Sequence, residues 1–135
     1  MEIIAEQKLS VAKVAKKFKL KLILIFGSFA SGKQRKGSDL DVAILGLKGI
    51  SFNEEIKIAG ELSLIFSKNV DISVLNTANP LLTFQASKNS ILLYGNKEDF
   101  FKFKIYAFSR YNDYAPYFLM ERDLNKKIIN SYASR

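Results

Sequence analysis

The spacing of apolar residues changes several times along this chain, and each change marks an element. Val11, Val14, Ala15 and Phe18 recur at i, i+3, i+4 and i+7 and predict a helix over residues 3–19. Residues 22–26 are an unbroken Ile/Leu-rich run, the pattern of a buried strand, ending at Gly27. A short helix from Ser28 to Gly32 follows, then a second strand over residues 40–45. The stretch from Ser51 to Glu54 has the form of a capping box and opens a helix to about residue 67, with Ile58, Leu62 and Ile65 inward. A third strand over residues 70–75 alternates Val70, Ile72 and Val74 with Asp71 and Ser73. Asn79 and Pro80 cap and open a helix to about residue 88. Residues 91–94 form a short strand closed by Gly95. Asn96 caps a helical segment to about residue 112, which Pro116 breaks or kinks before a last helix to about residue 130.

Strands and helices therefore alternate from one end to the other. The class is α/β (or α+β), a small mixed sheet covered by helices with a C-terminal helical segment. At 135 residues the chain reads as a single domain, residues 1–135, with a core over about 1–95 and C-terminal helices over about 97–130.

Composition narrows the chemistry. The sequence has neither cysteine nor histidine, which excludes disulfides, thiolate metal sites, Cys nucleophiles and the commonest general base. Any metal must sit on oxygen, so magnesium, manganese or calcium is expected. No apolar run approaches the ~20 residues that cross a bilayer. The early acids Glu2 and Glu6 do not belong to a signal peptide, and a cytoplasmic protein is expected. The net charge of +8 points to an anionic ligand or partner: a nucleotide, RNA or an acidic protein. Six lysines from Lys8 to Lys21 fit a solvated helix face equally well, so direct nucleic-acid binding stays open.

Two aspartates stand out inside an apolar strand. Residues i and i+2 share a face, so Asp39 and Asp41 lie together while Leu40, Val42 and Ile44 fill the other side. Carboxylates roughly 6–7 Å apart at their backbones, against an apolar layer, repel one another and lose hydration unless a cation lies between them. Asp71 offers a third by the same logic if its strand lies beside the second. Three oxygen donors suit Mg²⁺, and two such ions about 3.5–4 Å apart are a usual device for in-line attack on a phosphate. Taken singly, the three acids also read as turn or exposed strand residues.

What precedes them is a phosphate site in outline. Gly27 lets a ligand approach the backbone, and Ser28 at a helix start exposes free N–H groups. Lys33, Arg35 and Lys36 follow in the loop. Gly27 and Ser28, ten further residues, then Asp39 and Asp41 at the head of an apolar strand resemble the signature of the nucleotidyltransferase superfamily that includes DNA polymerase beta. The short chain is similar to its minimal nucleotidyltransferases. The resemblance implies that Asp39 and Asp41 bind two Mg²⁺ ions, and that Asp71 completes the triad and helps deprotonate the attacking hydroxyl. It further implies that Gly27 and Ser28 hold the β and γ phosphates of ATP, with Lys33, Arg35 and Ser38 beside them. One departure is Ser31, where the minimal family usually carries arginine; serine cannot replace a bidentate phosphate donor. Either Lys33 or Arg35 compensates, or activity is weak or lost.

Stand-alone minimal nucleotidyltransferases resemble antitoxins encoded beside a HEPN-domain toxin. The resemblance implies transfer of AMP from ATP to a tyrosine of that toxin. An RNA or small-molecule acceptor, and a non-catalytic antitoxin that acts by binding alone, are the alternatives. Nine aromatics between Phe100 and Phe118 spread nearly all round their helix. Either they form a second buried surface, for a partner or an oligomer, or the Pro116 kink wraps them round the core.

Overall fold

Leu22, Ile23, Leu24 and Ile25 are all fully buried, because the strand that carries them is central in its sheet and covered on both faces. The structure, a computed structural model, describes residues 2–33 and 37–133. In chain order the elements are α1 (Ala5–Lys17), β1 (Leu20–Phe26), α2 (Ser28–Ser31), β2 (Leu40–Gly46), α3 (Phe52–Phe66), β3 (Val70–Val74), α4 (Pro80–Ser87), β4 (Ile91–Tyr94) and α5 (Lys97–Ala133). The strands form one sheet in the order β3-β2-β1-β4. β1 pairs antiparallel with both β2 and β4, whereas β2 and β3 run parallel through the α3 crossover. The expected small mixed sheet covered by helices is what the chain forms.

Strand alternation sorts the side chains into two cores. Ile23, Ile25, Val42 and Ile44 pack on one face against Val11, Val14 and Ala15 of α1 and Ile58, Leu62 and Phe66 of α3. Leu22, Leu24 and Ala43 pack on the other, against Ala86 of α4 and Phe103 and Ala107 of α5. Each large aliphatic side chain buried this way contributes about 1.5–3 kcal/mol relative to exposure.

Local signals fix the helix ends. Ser51 Oγ accepts the Glu54 N–H at 3.2 Å, and Glu54 Oε1 accepts the Ser51 N–H at 3.2 Å, which closes the capping box. Asn79 Oδ1 accepts the Leu82 N–H at 2.8 Å ahead of Pro80. Asn96 Oδ1 accepts the Asp99 N–H at 2.7 Å at the head of α5.

Three expectations are corrected. The first helix is shorter than residues 3–19, because Lys19 adopts a left-handed backbone (φ 55°) and ends it. In α3 the third inward position is Phe66, and Ile65 is half-buried at the edge. Pro116 does not break the C-terminal segment; α5 is one helix of 37 residues with Pro116 inside it. Proline removes a single helix hydrogen bond, to the carbonyl of Asn112, and both residues are exposed.

α5 accordingly does not wrap the core. Phe103 and Ala107 are buried, Tyr111 stacks on Phe84 of α4 at 4.1 Å, and Arg110 donates to the Ala78 carbonyl at 2.9 Å. Phe101, Tyr106, Phe108, Tyr114 and Tyr117 stay exposed. Of the two readings of the aromatic segment, burial within one chain is the one excluded.

Candidate active site

The same alternation that buries Ala43 places Asp41 two residues earlier on the α4/α5 face of the sheet, and β3 does likewise for Asp71 and Ser73. Register completes the row: Phe26 of β1 pairs with Asp41 of β2, and Asp41 with Asp71 of β3. Strands lie about 4.8 Å apart, so the two acids are immediate neighbours. Asp41 is half-buried, whereas Asp39 and Asp71 are exposed. Burial first, then the negative charges of Asp71 and Asp39, raise the Asp41 carboxyl above its ordinary value of 3.8. The third strand does lie beside the second, and the other two acids both act on the Asp41 carboxyl.

The glycine-serine turn abuts this group. Gly27 has a backbone only glycine adopts easily (φ 71°), and a β-carbon there would overlap Oδ2 of Asp41 and lie 3.1 Å from its Cγ. Ser28 begins α2, and Gly32 ends it in a left-handed conformation. The helix is a single tight turn. The Gly27 carbonyl accepts the Ser31 N–H at 3.1 Å, and the Ser28 carbonyl accepts the Lys33 N–H at 2.8 Å and the Ser31 hydroxyl at 3.3 Å. Ser31 is thus turned back on its own helix. Lys33 follows, exposed, while Gln34, Arg35 and Lys36 lie outside the described residues.

Two open hollows flank the acids. One, of about 540 Å³, lies between Ser38 and Asp39 on one side and Ser63 and Lys68 at the end of α3 on the other. Lys68 also lies over the ring of Phe29 in α2, at 5.1 Å. The other, of about 330 Å³, is lined by Phe26, Gly27, Ser31, Gln85, Lys88 and Asn89. Neither Lys68 nor the Gln85–Asn89 group is visible as a site residue in the sequence. No local pattern marks them; the packing of α4 on the sheet, with Ala86 buried in it, brings the end of that helix to a glycine some sixty positions earlier.

The donor set is oxygen throughout, which suits a hard divalent ion and excludes soft-metal ligation. Among the described residues no three such side chains stand grouped as a ready-made cation cage. The fit therefore rests on charge: an acidic pair in register, with one member's carboxyl raised by the others, is relieved by a bound cation.

A four-stranded mixed sheet with this order, this acidic row and a glycine turn against it places the chain among proteins of the nucleotidyltransferase fold. The chain belongs to the Polymerase beta, Nucleotidyltransferase family, whose sequence profile matches residues 10–99. That span contains the whole stretch from Gly27 to Asp41, so the resemblance read from those residues holds. The chain is 30% identical over 93 residues to the protein adenylyltransferase MntA of Shewanella oneidensis, covering 69% of this chain and 67% of that protein. It is also similar to a toxin–antitoxin crystal structure with AMP-PNP, at a TM-score of 0.75 and 26% identity over 87% of this chain and 97% of that one. A third likeness is to the tri-AMPylated Shewanella oneidensis HEPN toxin in complex with MNT antitoxin, at a TM-score of 0.66 and 25% identity, over 87% and 98% of the two chains. Among the described residues no helix is long and apolar enough to cross a membrane.

Proposed function

We propose that this protein is a Mg²⁺-dependent adenylyltransferase and antitoxin that transfers AMP from ATP to a tyrosine of a HEPN-type toxin in the cytoplasm. The observation that carries the reading is the placement of Asp41, in register with Asp71 and pressed against the open Cα of Gly27. It puts a concentrated negative charge beside a backbone that a phosphate approaches closely. Similarity to a protein adenylyltransferase and to an MNT antitoxin in complex with its AMPylated toxin supports the choice of acceptor.

Asp39 and Asp41 would hold two Mg²⁺ ions, with Asp71 completing the set; ions bound there neutralise the charge that builds on the phosphate during transfer. The chain's own residues do the rest. Gly27 and Ser28 hold the β and γ phosphates, with Lys33, Arg35 and Ser38 beside them. Asp71, exposed on the edge strand β3, receives the proton of the attacking tyrosine. The tyrosine oxygen bonds to the α-phosphorus, the bond from that phosphorus to the β-phosphate oxygen breaks, and pyrophosphate leaves.

The test is transfer of label from ATP, with Mg²⁺ and the toxin, by the wild-type chain and by the Asp39→Asn, Asp41→Asn double variant. Label on a toxin tyrosine with the wild type and none with the folded double variant is the expected result. Label on RNA or a small molecule would replace the acceptor, and tight toxin binding without any label would make the protein an antitoxin by occlusion. Wild-type transfer by the double variant would overturn the site.

A further inference from the structure

The hollow on the Gly27 side of the acids differs in charge from the one on the Asp39 side. Phe26 in its wall is the register partner of Asp41, and Gly27 abuts the Asp41 carboxyl, so it opens directly beside the acidic pair. Its remaining lining comes from Ser31 and from the end of α4, where Gln85, Lys88 and Asn89 converge. The Ser31 hydroxyl donates back to Ser28, and Gln85 and Asn89 are neutral amides. Lys88 supplies the charge. Among the described residues no carboxylate pairs with it.

Lys88 is also held in place. Its N–H donates to the carbonyls of Phe84 and Gln85 at 3.2 and 3.3 Å, which closes α4. Its ammonium lies 5.3 Å from the centre of the Phe84 ring, which is itself stacked on Tyr111 of α5. An unneutralised cation thus lines a cavity that shares Phe26 and Gly27 with the surroundings of Asp41 and whose lining holds amides and a hydroxyl but no carboxylate. An anionic chain that starts at the acidic pair meets Asp39 as well as Lys68 in one flanking hollow, and Lys88 with no carboxylate beside it in this one.

We propose that Lys88 is a binding residue for the terminal phosphates of the nucleoside triphosphate, the part that departs as pyrophosphate. This rests on the function proposed above for the substrate, but the binding step can be measured without the transfer. The experiment is calorimetry on the full chain with Mg²⁺ and three probes: ATP, AMP and inorganic tripolyphosphate. Lys88→Ala is expected to weaken ATP and tripolyphosphate about tenfold, the scale of one charge-assisted contact, while AMP binding is unchanged. Lys88→Arg keeps most of the affinity. Equal weakening of ATP and AMP, or no weakening of either polyphosphate, overturns the assignment. Labelled transfer to the toxin, run beside it, separates the two ideas. Normal transfer with a Lys88-independent ATP affinity sinks only the assignment. Lys88-dependent polyphosphate binding without transfer sinks only the function.

Discussion

Gly27 and Asp41 occupy adjoining space so closely that the glycine has no room for a side chain. Its missing β-carbon is where Oδ2 of Asp41 lies. Gly32, five residues later, also has a positive φ (74°) but open space around it. Alanine at either position strains the backbone by about 1 kcal/mol or more. Only Gly27→Ala also displaces the Asp41 carboxyl. Thermal melts and transfer assays should therefore show both variants destabilised, with activity lost in Gly27→Ala and largely kept in Gly32→Ala. Equal activities would mean the contact is incidental.

Asp41→Asn should trade activity for stability. In the metal-free protein the Asp41 carboxyl is raised by burial, Asp71 and Asp39, so its charged form is disfavoured in the folded state. The folded chain binds the proton more tightly than the unfolded one, and ionised Asp41 costs stability at neutral pH. In EDTA at pH 7, Asp41→Asn should melt about 2 °C higher than wild type, a small gain because the site is partly solvated. That gap should narrow as the pH falls through the raised titration range of folded Asp41, which lies above the ordinary 3.8, and should be gone below 3.8, where the unfolded chain is protonated too. A lower melting temperature for the variant at pH 7 would contradict the charge argument.

Asn76, just beyond β3, ties two strands together. Its Oδ1 accepts the Gly46 N–H at 2.8 Å, and its Nδ2 donates to the Gly46 carbonyl at 3.0 Å. Asn76→Ala leaves both main-chain groups at the end of β2 without these bonds and should cost about 1–3 kcal/mol in chemical denaturation. Asn76→Asp should recover part of the loss, since it restores only the acceptor. No change in Asn76→Ala would show that the end of β2 is held by other contacts.

The aromatic segment of α5 divides by burial. Phe103→Ala removes a core side chain and should cost about 3–5 kcal/mol. Phe108→Ser and Tyr117→Ser, at positions 59% and 66% exposed, should change stability by no more than about 0.5 kcal/mol. If these rings meet the toxin, the same two variants should weaken the complex in a titration. Large destabilisation of the isolated chain would instead place them in its own fold.

Features encoded within a few residues were legible in the sequence. The caps at Ser51, Asn79 and Asn96, the left-handed Gly32 and the face shared by Asp39 and Asp41 all follow from short-range geometry. The pairing of Asp41 with Asp71 could be posed from the sequence only as a condition, because strand order depends on how α3 crosses the sheet. Pro116 misled for a related reason. A proline signals one lost hydrogen bond, and whether a helix survives that loss depends on the flanking turns. Lys88 and Lys68 were invisible because nothing in their own neighbourhoods marks them; the packing of α4 and the end of α3 carries them to the site. Arg35, by contrast, was legible only as a charge in a loop, and it lies outside the described residues.

From Pro116 onward α5 runs 18 residues to Ala133, and every position from Leu119 is exposed. At 1.5 Å per residue this is a rod of about 27 Å. A rod transmits rotation as faithfully as length. One residue inserted after Pro116 would turn everything beyond it by about 100°, whereas seven would lengthen the rod by about 10 Å and restore nearly the original bearing. Whatever grips the far end would thus sense the phase of the helix as well as its reach.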